Sequence, residues 1–139
     1  MFAVVRVKGS VNVSKNVEDT LKMLNLKSPN HCVVVPETKQ HLGMLRKAKD
    51  RITWGKIDKK ILSKLLEKRS KLPKEKLKEM KMKNFDELSD ALMNNELKLK
   101  LIFRLNPPIH GYKSTKLPYP KGDLGFRGEK INELLERMI

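Results

Sequence analysis

Histidine and cysteine are the first candidates for metal binding or nucleophilic chemistry in this chain. The sequence has three histidines, His31, His41 and His110, and one cysteine, Cys32. His31 and Cys32 are neighbours in a predicted strand, so their side chains point to opposite faces and cannot act as a pair. One cysteine also excludes an internal disulfide and a zinc site built on a cysteine pair. We therefore predict no metal, no cofactor and no catalytic residue.

The remaining polar residues do not suggest an enzyme either. Most carboxylates lie among lysines on predicted helix surfaces, a pattern typical of solvated ion pairs. The sequence contains no glycine-rich phosphate loop of the Walker type. An enzyme or small-ligand module on the same fold would need convergent polar groups in a pocket, and we find no such set. We expect no enzymatic activity and no small-molecule substrate.

Positive charge is the dominant feature of the composition. The 139 residues include 31 lysines and arginines against 16 acidic residues, a formal net charge of +15. Such an excess favours a polyanionic partner: nucleic acid first, an acidic membrane surface second, with a merely lysine-rich soluble surface as the alternative. No segment approaches the roughly 18 apolar residues of a membrane span, and the apolar run at the N-terminus is too short for a signal peptide. We predict a soluble cytoplasmic protein without membrane contact.

The first 57 residues alternate between strand and helix patterns. Residues 2–8, 32–35 and 52–57 are predicted strands, because these runs are apolar and rich in β-branched side chains. Apolar residues at helical spacing predict two helices between them, one capped by Asn16 and the other by Thr38. The order β-α-β-α-β, with both helices on one sheet face, predicts an α+β fold with a ferredoxin-like split β-α-β core.

The rest of the chain has two parts. Residues 58–100 are predicted to be helical, with Asp58 capping one helix and Asn84 or Asp86 starting another. After a predicted edge strand at 101–105, residues 106–128 hold four prolines and four glycines, which excludes a helix and predicts an extended run over the surface. Residues 129–138 predict a closing amphipathic helix. We divide the chain into a core at 1–57, a helical extension at 58–100, and an extended basic tail with a C-terminal helix packed on the core at 101–139.

Basic residues group at three places in the core. KGS at 8–10 is a glycine turn whose backbone amides could approach phosphates closely. KSPNH at 27–31 is a polar loop leading into a strand. The third group begins at Thr38, where the free N–H groups and dipole of a helix N-terminus attract phosphate, and continues to Lys49. These groups make 1–57 a predicted RNA-binding core.

Gly43 lies within the third group, inside the predicted helix. Glycine there costs roughly 1 kcal/mol relative to alanine. One interpretation is that the absent side chain lets a phosphate backbone come close. The other is that it lets helix and sheet pack tightly. The sequence leaves both open.

The tail combines positive charge with aromatic rings. Residues 104–127 hold five basic residues against one acid, Asp123, and Tyr112, Tyr119 and Phe126 lie between them. Extended basic segments with aromatics suit irregular RNA, whose bases can stack. The alternative is a strap whose aromatics pack on their own domain. We favour the RNA interpretation for the tail, and a structural role for Trp54 and Gly55.

Several motifs in order resemble one known family. They include TLK at 20–22, NHCVV at 30–34, GM at 43–44, KAK at 47–49, ITWG at 52–55, FRL at 103–105, GY at 111–112 and LGFRGE at 124–129. Together they resemble the large-subunit ribosomal protein family called L30 in bacteria and archaea and L7 in eukaryotes, in its archaeal form. Lys39 departs from the family, which often has proline there. The long basic N-terminal extension of the eukaryotic form is missing, which argues against a eukaryotic source.

The resemblance implies a structural constituent of the large ribosomal subunit that binds ribosomal RNA and supports its assembly and translation on cytoplasmic ribosomes. Expected partners are large-subunit ribosomal RNA, with 5S RNA as a further candidate, and neighbouring ribosomal proteins. A free-standing general RNA- or DNA-binding protein of the chaperone or chromatin type is the alternative. The residues expected to contact RNA, from the family motif or from charge, are Lys8, Gly9, Ser10, Lys15, Lys22, Lys27, Asn30, His31, Thr38, Lys39, Gly43, Arg46, Lys47, Lys49, Arg104, Tyr112, Lys113, Lys116 and Arg127.

Overall fold

The computed structural model describes residues 1–9, 11–69, 75, 78, 84–94, 102–119 and 121–139. The strands of this part are β1 (Phe2–Arg6), β2 (His31–Val35), β3 (Ile52–Lys56), β4 (Ile102–Arg104) and β5 (Gly125–Phe126). The helices are α1 (Lys15–Met23), α2 (Lys39–Lys47), α3 (Lys59–Arg69), α4 (Phe85–Met93) and α5 (Ile131–Met138), with a 3-10 turn at Gly128–Lys130. Ser10 lies outside the described residues, as does most of the lysine-rich segment at 71–83.

The strands form one sheet in the order β4-β2-β1-β3-β5. β1 lies in the centre and is antiparallel to both β2 and β3. β2 and β3 are therefore parallel to each other and are joined by α2, which is the predicted split β-α-β unit. The predicted ferredoxin-like α+β fold is confirmed, and residues 102–104 of the predicted edge strand form β4 beside β2. Leu101 lies outside the described residues.

Both faces of the sheet are buried. Phe2 and Val4 of β1 pack with Leu21 of α1 and Leu45 of α2 on one face. The alternate residues, Ala3 and Val5, pack on the other face with apolar side chains of α3, α4 and α5. A strand that is buried on both sides needs a continuous apolar run, which explains FAVV at the start of the chain. The predicted placement of α1 and α2 on one face is confirmed.

The helix starts are partly as predicted. Thr38 caps α2, because its side-chain oxygen accepts a hydrogen bond from the His41 backbone N–H at 3.2 Å. Asn84 directly precedes α4, as one of the two predicted starts. The predicted cap of α1 at Asn16 is wrong by two residues. Ser14 has extended backbone angles and its carbonyl accepts the Glu18 N–H at 3.0 Å, so the helix already begins at Lys15.

The tail is less extended than predicted. The carboxylate of Asp123 is buried and accepts hydrogen bonds from the Lys113 backbone N–H and, at 2.6 Å, from the Arg127 guanidinium. The Asp123 N–H donates to the Ser114 carbonyl at 3.0 Å. These bonds fold the described residues of 113–127 into a compact loop, and they give the buried carboxylate the donors that it needs. The end of this loop adds β5 in parallel to β3, a strand that the sequence did not predict.

Candidate nucleic-acid interface

The solvent side of α2 carries a row of cations around a glycine. Leu45 on the inner side is fully buried under the sheet. Because successive helix residues are about 100° apart, Gly43 lies near the middle of the outer side. We call this outer side the α2 face; its residues are all exposed and are Lys39, Gln40, Gly43, Arg46 and Lys47.

Gly43 is not required by packing. A Cβ atom built there would meet nothing within 4 Å, and its backbone is not in the left-handed region. Gly43 still weakens the helix by roughly 1 kcal/mol relative to alanine. The interpretation that Gly43 lets helix and sheet pack tightly is therefore wrong. Close approach of a partner to the α2 face is the interpretation that remains.

A second group of cations lies where β1 ends and β2 and β3 begin. The N–H groups of Val7 and Lys8 donate to the Arg51 carbonyl at 2.9 and 3.2 Å. His31 at the start of β2 is paired with Arg104 of β4. We call this region the loop end; its cations are Lys8, Lys27, Arg51 and Arg104, and Gly9, Asn30 and His31 lie among them.

The α2 face and the loop end adjoin each other. α2 runs back from the end of β2 to the start of β3, so its last residues reach the loop end. Lys47 and Arg51 line one cleft together with Asn12 and Ser14. The structure thus brings predicted contact residues of α2 and of the β1 turn onto one side of the molecule.

Two arginines of this region were missed by sequence reasoning. Arg6 is 2% exposed and donates from Nε to the Lys8 carbonyl at 2.8 Å and from Nη1 to the Leu26 carbonyl at 2.6 Å. Arg6 therefore holds together the two loops that carry Lys8 and Lys27, and burial lowers its pKa. The sequence signal for the role of Arg6 was the presence of an arginine inside an apolar strand. Arg51 extends the basic run before β3, and its Nη2 donates to the Asn12 carbonyl at 3.1 Å.

His31 and Asn30 are set in a constrained turn. Asn30 has a positive φ of 67°, and its Oδ1 accepts from the Tyr112 hydroxyl at 2.9 Å. Burial lowers the pKa of His31, and the nearby charges of Arg104 and Arg6 lower it further. His31 is therefore neutral at pH 7. A neutral imidazole can offer a donor or an acceptor to RNA but no charge to a phosphate.

Arg127 does not fit the predicted contact role. Its side chain is only 5% exposed, forms an ion pair with Asp123 at 2.6 Å, and lies 5.1 Å from the centre of the Tyr119 ring. Because an arginine in a buried pair cannot reach a partner's phosphate, we leave Arg127 out of the proposed contacts.

The tail aromatics mostly pack on the domain itself. The ring of Phe103 is buried in the core, Tyr119 lies beneath Arg127, and Tyr112 is bonded to Asn30. Burial, followed by the charge of Asp123, raises the pKa of Tyr112 to about 12. The strap alternative therefore describes these three rings better than base stacking does.

The remaining predicted contacts are exposed but dispersed. Lys22 forms a long ion pair with Glu18 at 3.7 Å. Lys113 lines a groove with Lys130 and Arg137 beside α5, on the opposite face of the sheet from α2. The structure does not bring this tail lysine to the α2 face. The other exposed members are Lys15, Lys49 and Lys116.

Chelating and nucleophilic side chains are scattered or buried in the described ranges. Within the ranges that the structure describes, no three His, Cys, Asp or Glu side chains are grouped to hold a metal ion. Cys32 is fully buried, and burial raises the pKa of its thiol to about 12. None of the helices described is both long and apolar enough to cross a membrane.

Comparison with known proteins identifies the family. The family described as ribosomal protein L30p/L7e matches residues 2–52. The large ribosomal subunit protein uL30 of Methanosphaera stadtmanae is 44% identical over 100% of both chains. The uL30 proteins of Nanoarchaeum equitans and Methanobrevibacter smithii are 43% and 44% identical over at least 99% of each chain. The chain belongs to the L30p/L7e family of ribosomal proteins, as its motifs indicate.

Proposed function

We propose that this chain is a structural constituent of the large ribosomal subunit and is held there by contacts with ribosomal RNA. The observation that supports this most directly is the α2 face, where exposed cations surround a glycine that neither packing nor backbone geometry requires. RNA phosphates are the partner that suits such a surface, since they need both positive charge and close approach. The role is architectural rather than catalytic.

The proposed contact surface combines the α2 face with the loop end. Lys39, Arg46 and Lys47 supply charge along the helix, and Thr38 opens it with N–H groups that suit a phosphate. Lys8, Lys27 and Arg104 extend the charge across the end of the sheet. Neutral His31 and Asn30 would contact sugars or base edges. Lys15, Lys22, Lys49, Lys113 and Lys116 are peripheral contacts in this proposal.

The test is the salt dependence of RNA binding. The double variant Arg46→Ala/Lys47→Ala is compared with the natural chain for binding to deproteinised archaeal large-subunit ribosomal RNA at rising potassium concentration. Each lost phosphate contact should reduce the slope of log affinity against log salt by roughly 0.7 to 0.9. We expect the slope of the double variant to be smaller than that of the natural chain by about twice this amount, because two contacts are removed.

The matched control removes two cations from another helix. Lys60→Ala/Lys68→Ala changes the net charge equally, and both residues are exposed on α3. α3 packs on the opposite face of the sheet from α2. An equal change of slope in both double variants would mean that only net charge matters, which would favour a general nucleic-acid binder over the proposed surface.

Three finer parts of the proposal go beyond the family. We propose that the protein acts on cytoplasmic ribosomes beside other ribosomal proteins. Contact with 5S RNA in addition to the larger RNA remains a prediction, and cross-linking within assembled subunits would test it. The division of the chain into a core, a helical extension and a tail at residues 57 and 100 is likewise a prediction.

A further inference from the structure

Phe126 is an aromatic side chain held at the sheet edge with an open surface. Its ring centre lies 6.3 Å from that of Phe2, edge to face, and 6.2 Å from that of Trp54. Phe2 and Trp54 are each 6% exposed, whereas Phe126 is 53% exposed. The inner rings fix the position of Phe126, so an exposed aromatic surface is held in place before any partner binds.

Phe126 lies on the same side of the sheet as α2. It is paired with Trp54, and Trp54 packs in the cluster that α1 and α2 cover. Lys56 follows Trp54 by two residues and is paired with Phe2, so its side chain is on this side too.

The α2 face lies on the same side of the sheet as this ring. His41 and Met44 line a groove with Met23 and Ile102, on the side of α2 that faces α1 and β4. Lys39 and Arg46 lie roughly half a turn around the helix from Met44 and thus on the side of α2 away from that groove. The ring of Phe126, the side chain of Lys56 and the α2 face therefore share one side of the sheet.

We propose that the ring of Phe126 is a stacking platform for an unpaired nucleobase of the bound RNA. This rests on the proposed ribosomal RNA binding and assigns one subsite to it. A flat ring on the same side of the sheet as cations suits a base and its phosphates, because stacking supplies contact area without sequence preference while the cations hold the backbone. Exposed Met23 and Ile102, which would suit an apolar protein partner better, lie at the opposite edge of the sheet.

The experiment compares Phe126→Leu with Phe126→Tyr in the full chain. Leucine keeps an apolar contact with Phe2 and Trp54 but has no flat ring, whereas tyrosine keeps the ring. The probe is deproteinised large-subunit ribosomal RNA of Methanobrevibacter smithii. Affinity and chemical protection of unpaired bases are measured for each variant. Thermal unfolding is recorded first, and Phe126→Met replaces leucine if that variant does not fold, since methionine adapts to irregular packing.

The outcomes separate the platform from the function on which it rests. We expect Phe126→Leu to bind at least about five-fold more weakly and to lose protection at one or two unpaired bases, with Phe126→Tyr close to the natural chain. Equal affinity and equal protection in all three proteins would overturn the platform and leave RNA binding intact. Equal weakening in both variants would also overturn it, since the ring would then matter only for packing. Failure of the natural chain to bind this RNA would instead overturn the proposed function and the platform with it.

Discussion

Two glycines of this chain have opposite surroundings. Gly43 lies in open space on α2, whereas a Cβ at Gly55 would fall 2.0 Å from the Gly128 carbonyl oxygen. Gly55 is thus required by the approach of the 3-10 turn to β3, and the structural role predicted for it is confirmed. Composition alone could not separate the two, because glycine carries no side chain whose type records its surroundings.

Gly43→Ala should stabilise the free protein and weaken RNA binding. Alanine removes the entropic disadvantage of glycine inside a helix, which is worth about 1 kcal/mol, and nothing in the structure opposes the added methyl group. Valine should weaken binding further with little change in stability. Chemical denaturation and RNA titration of the same samples measure both effects. A fall in the free energy of unfolding of Gly43→Ala would contradict the open placement of this residue.

Gly55→Ala, in contrast, should destabilise the free protein. The methyl group meets backbone atoms, which cannot rotate away, so β3 and the 3-10 turn must separate. We expect a loss of about 1–3 kcal/mol in the free energy of unfolding, as in other overpacked sites. Since Gly43→Ala adds the same atom elsewhere, it is the matched control in the same denaturation series. Unchanged stability of Gly55→Ala would mean that this contact is looser than the structure shows.

At the scale of elements, periodic segments were predictable and the tail loop was not. Apolar residues at strand or helix spacing predict β1 to β3, α1 and α2, and the capping residue Thr38 indicates where α2 begins. The loop at 113–127 depends on one carboxylate, Asp123, whose donors come from Lys113 and Arg127. Its proline and glycine content is equally compatible with an extended strap. For the same reason Arg127 looked like a surface cation in the sequence although it is buried.

Asp123→Asn should destabilise the protein strongly. The amide has roughly the volume of the carboxylate but carries no charge, so the Arg127 guanidinium remains buried without its counter-ion. Breaking a buried pair by removing one partner typically costs about 3–5 kcal/mol. Glu133→Gln is the control, because its ion pair with Lys130 is exposed and should contribute little. Urea denaturation of both variants measures the difference. A similar small effect in the two variants would show that the Asp123 pair does not hold the loop closed.

At the scale of the whole molecule, the fully buried Cys32 and the half-buried Tyr112 link stability to alkaline pH. Burial raises the pKa of each from an ordinary 9.0 and 10.0 to about 12. The folded protein therefore keeps protons that the unfolded chain releases. The contribution of these two groups should be constant below about pH 8, and stability should fall as pH rises from about 9 to 12.

Urea midpoints at pH 8, 10 and 11 test this dependence. Cys32→Ala and Tyr112→Phe each remove one ionisable group, so each should flatten the alkaline decline, whatever constant loss the change in packing adds at every pH. An alkaline decline equally steep in both variants and the natural chain would mean that other groups are responsible.

The positions of β4 and β5 in the sequence have a consequence for folding during synthesis. These strands form both edges of the sheet, yet both come from the last third of the chain. A nascent chain that has emerged to residue 57 already holds β1, β2, β3 and the α2 face. The other face of its sheet, with Ala3, Val5, Cys32 and Val34, is not yet covered by the apolar side chains of α3, α4 and α5.

At typical elongation rates the roughly eighty residues still to come take roughly 4–16 s. During that interval the proposed RNA contacts of α2 are present, Arg104 and Phe126 are still missing, and an apolar side is open to aggregation. We therefore expect the nascent protein to need a chaperone, or early capture by its RNA, before the C-terminal helix closes the core.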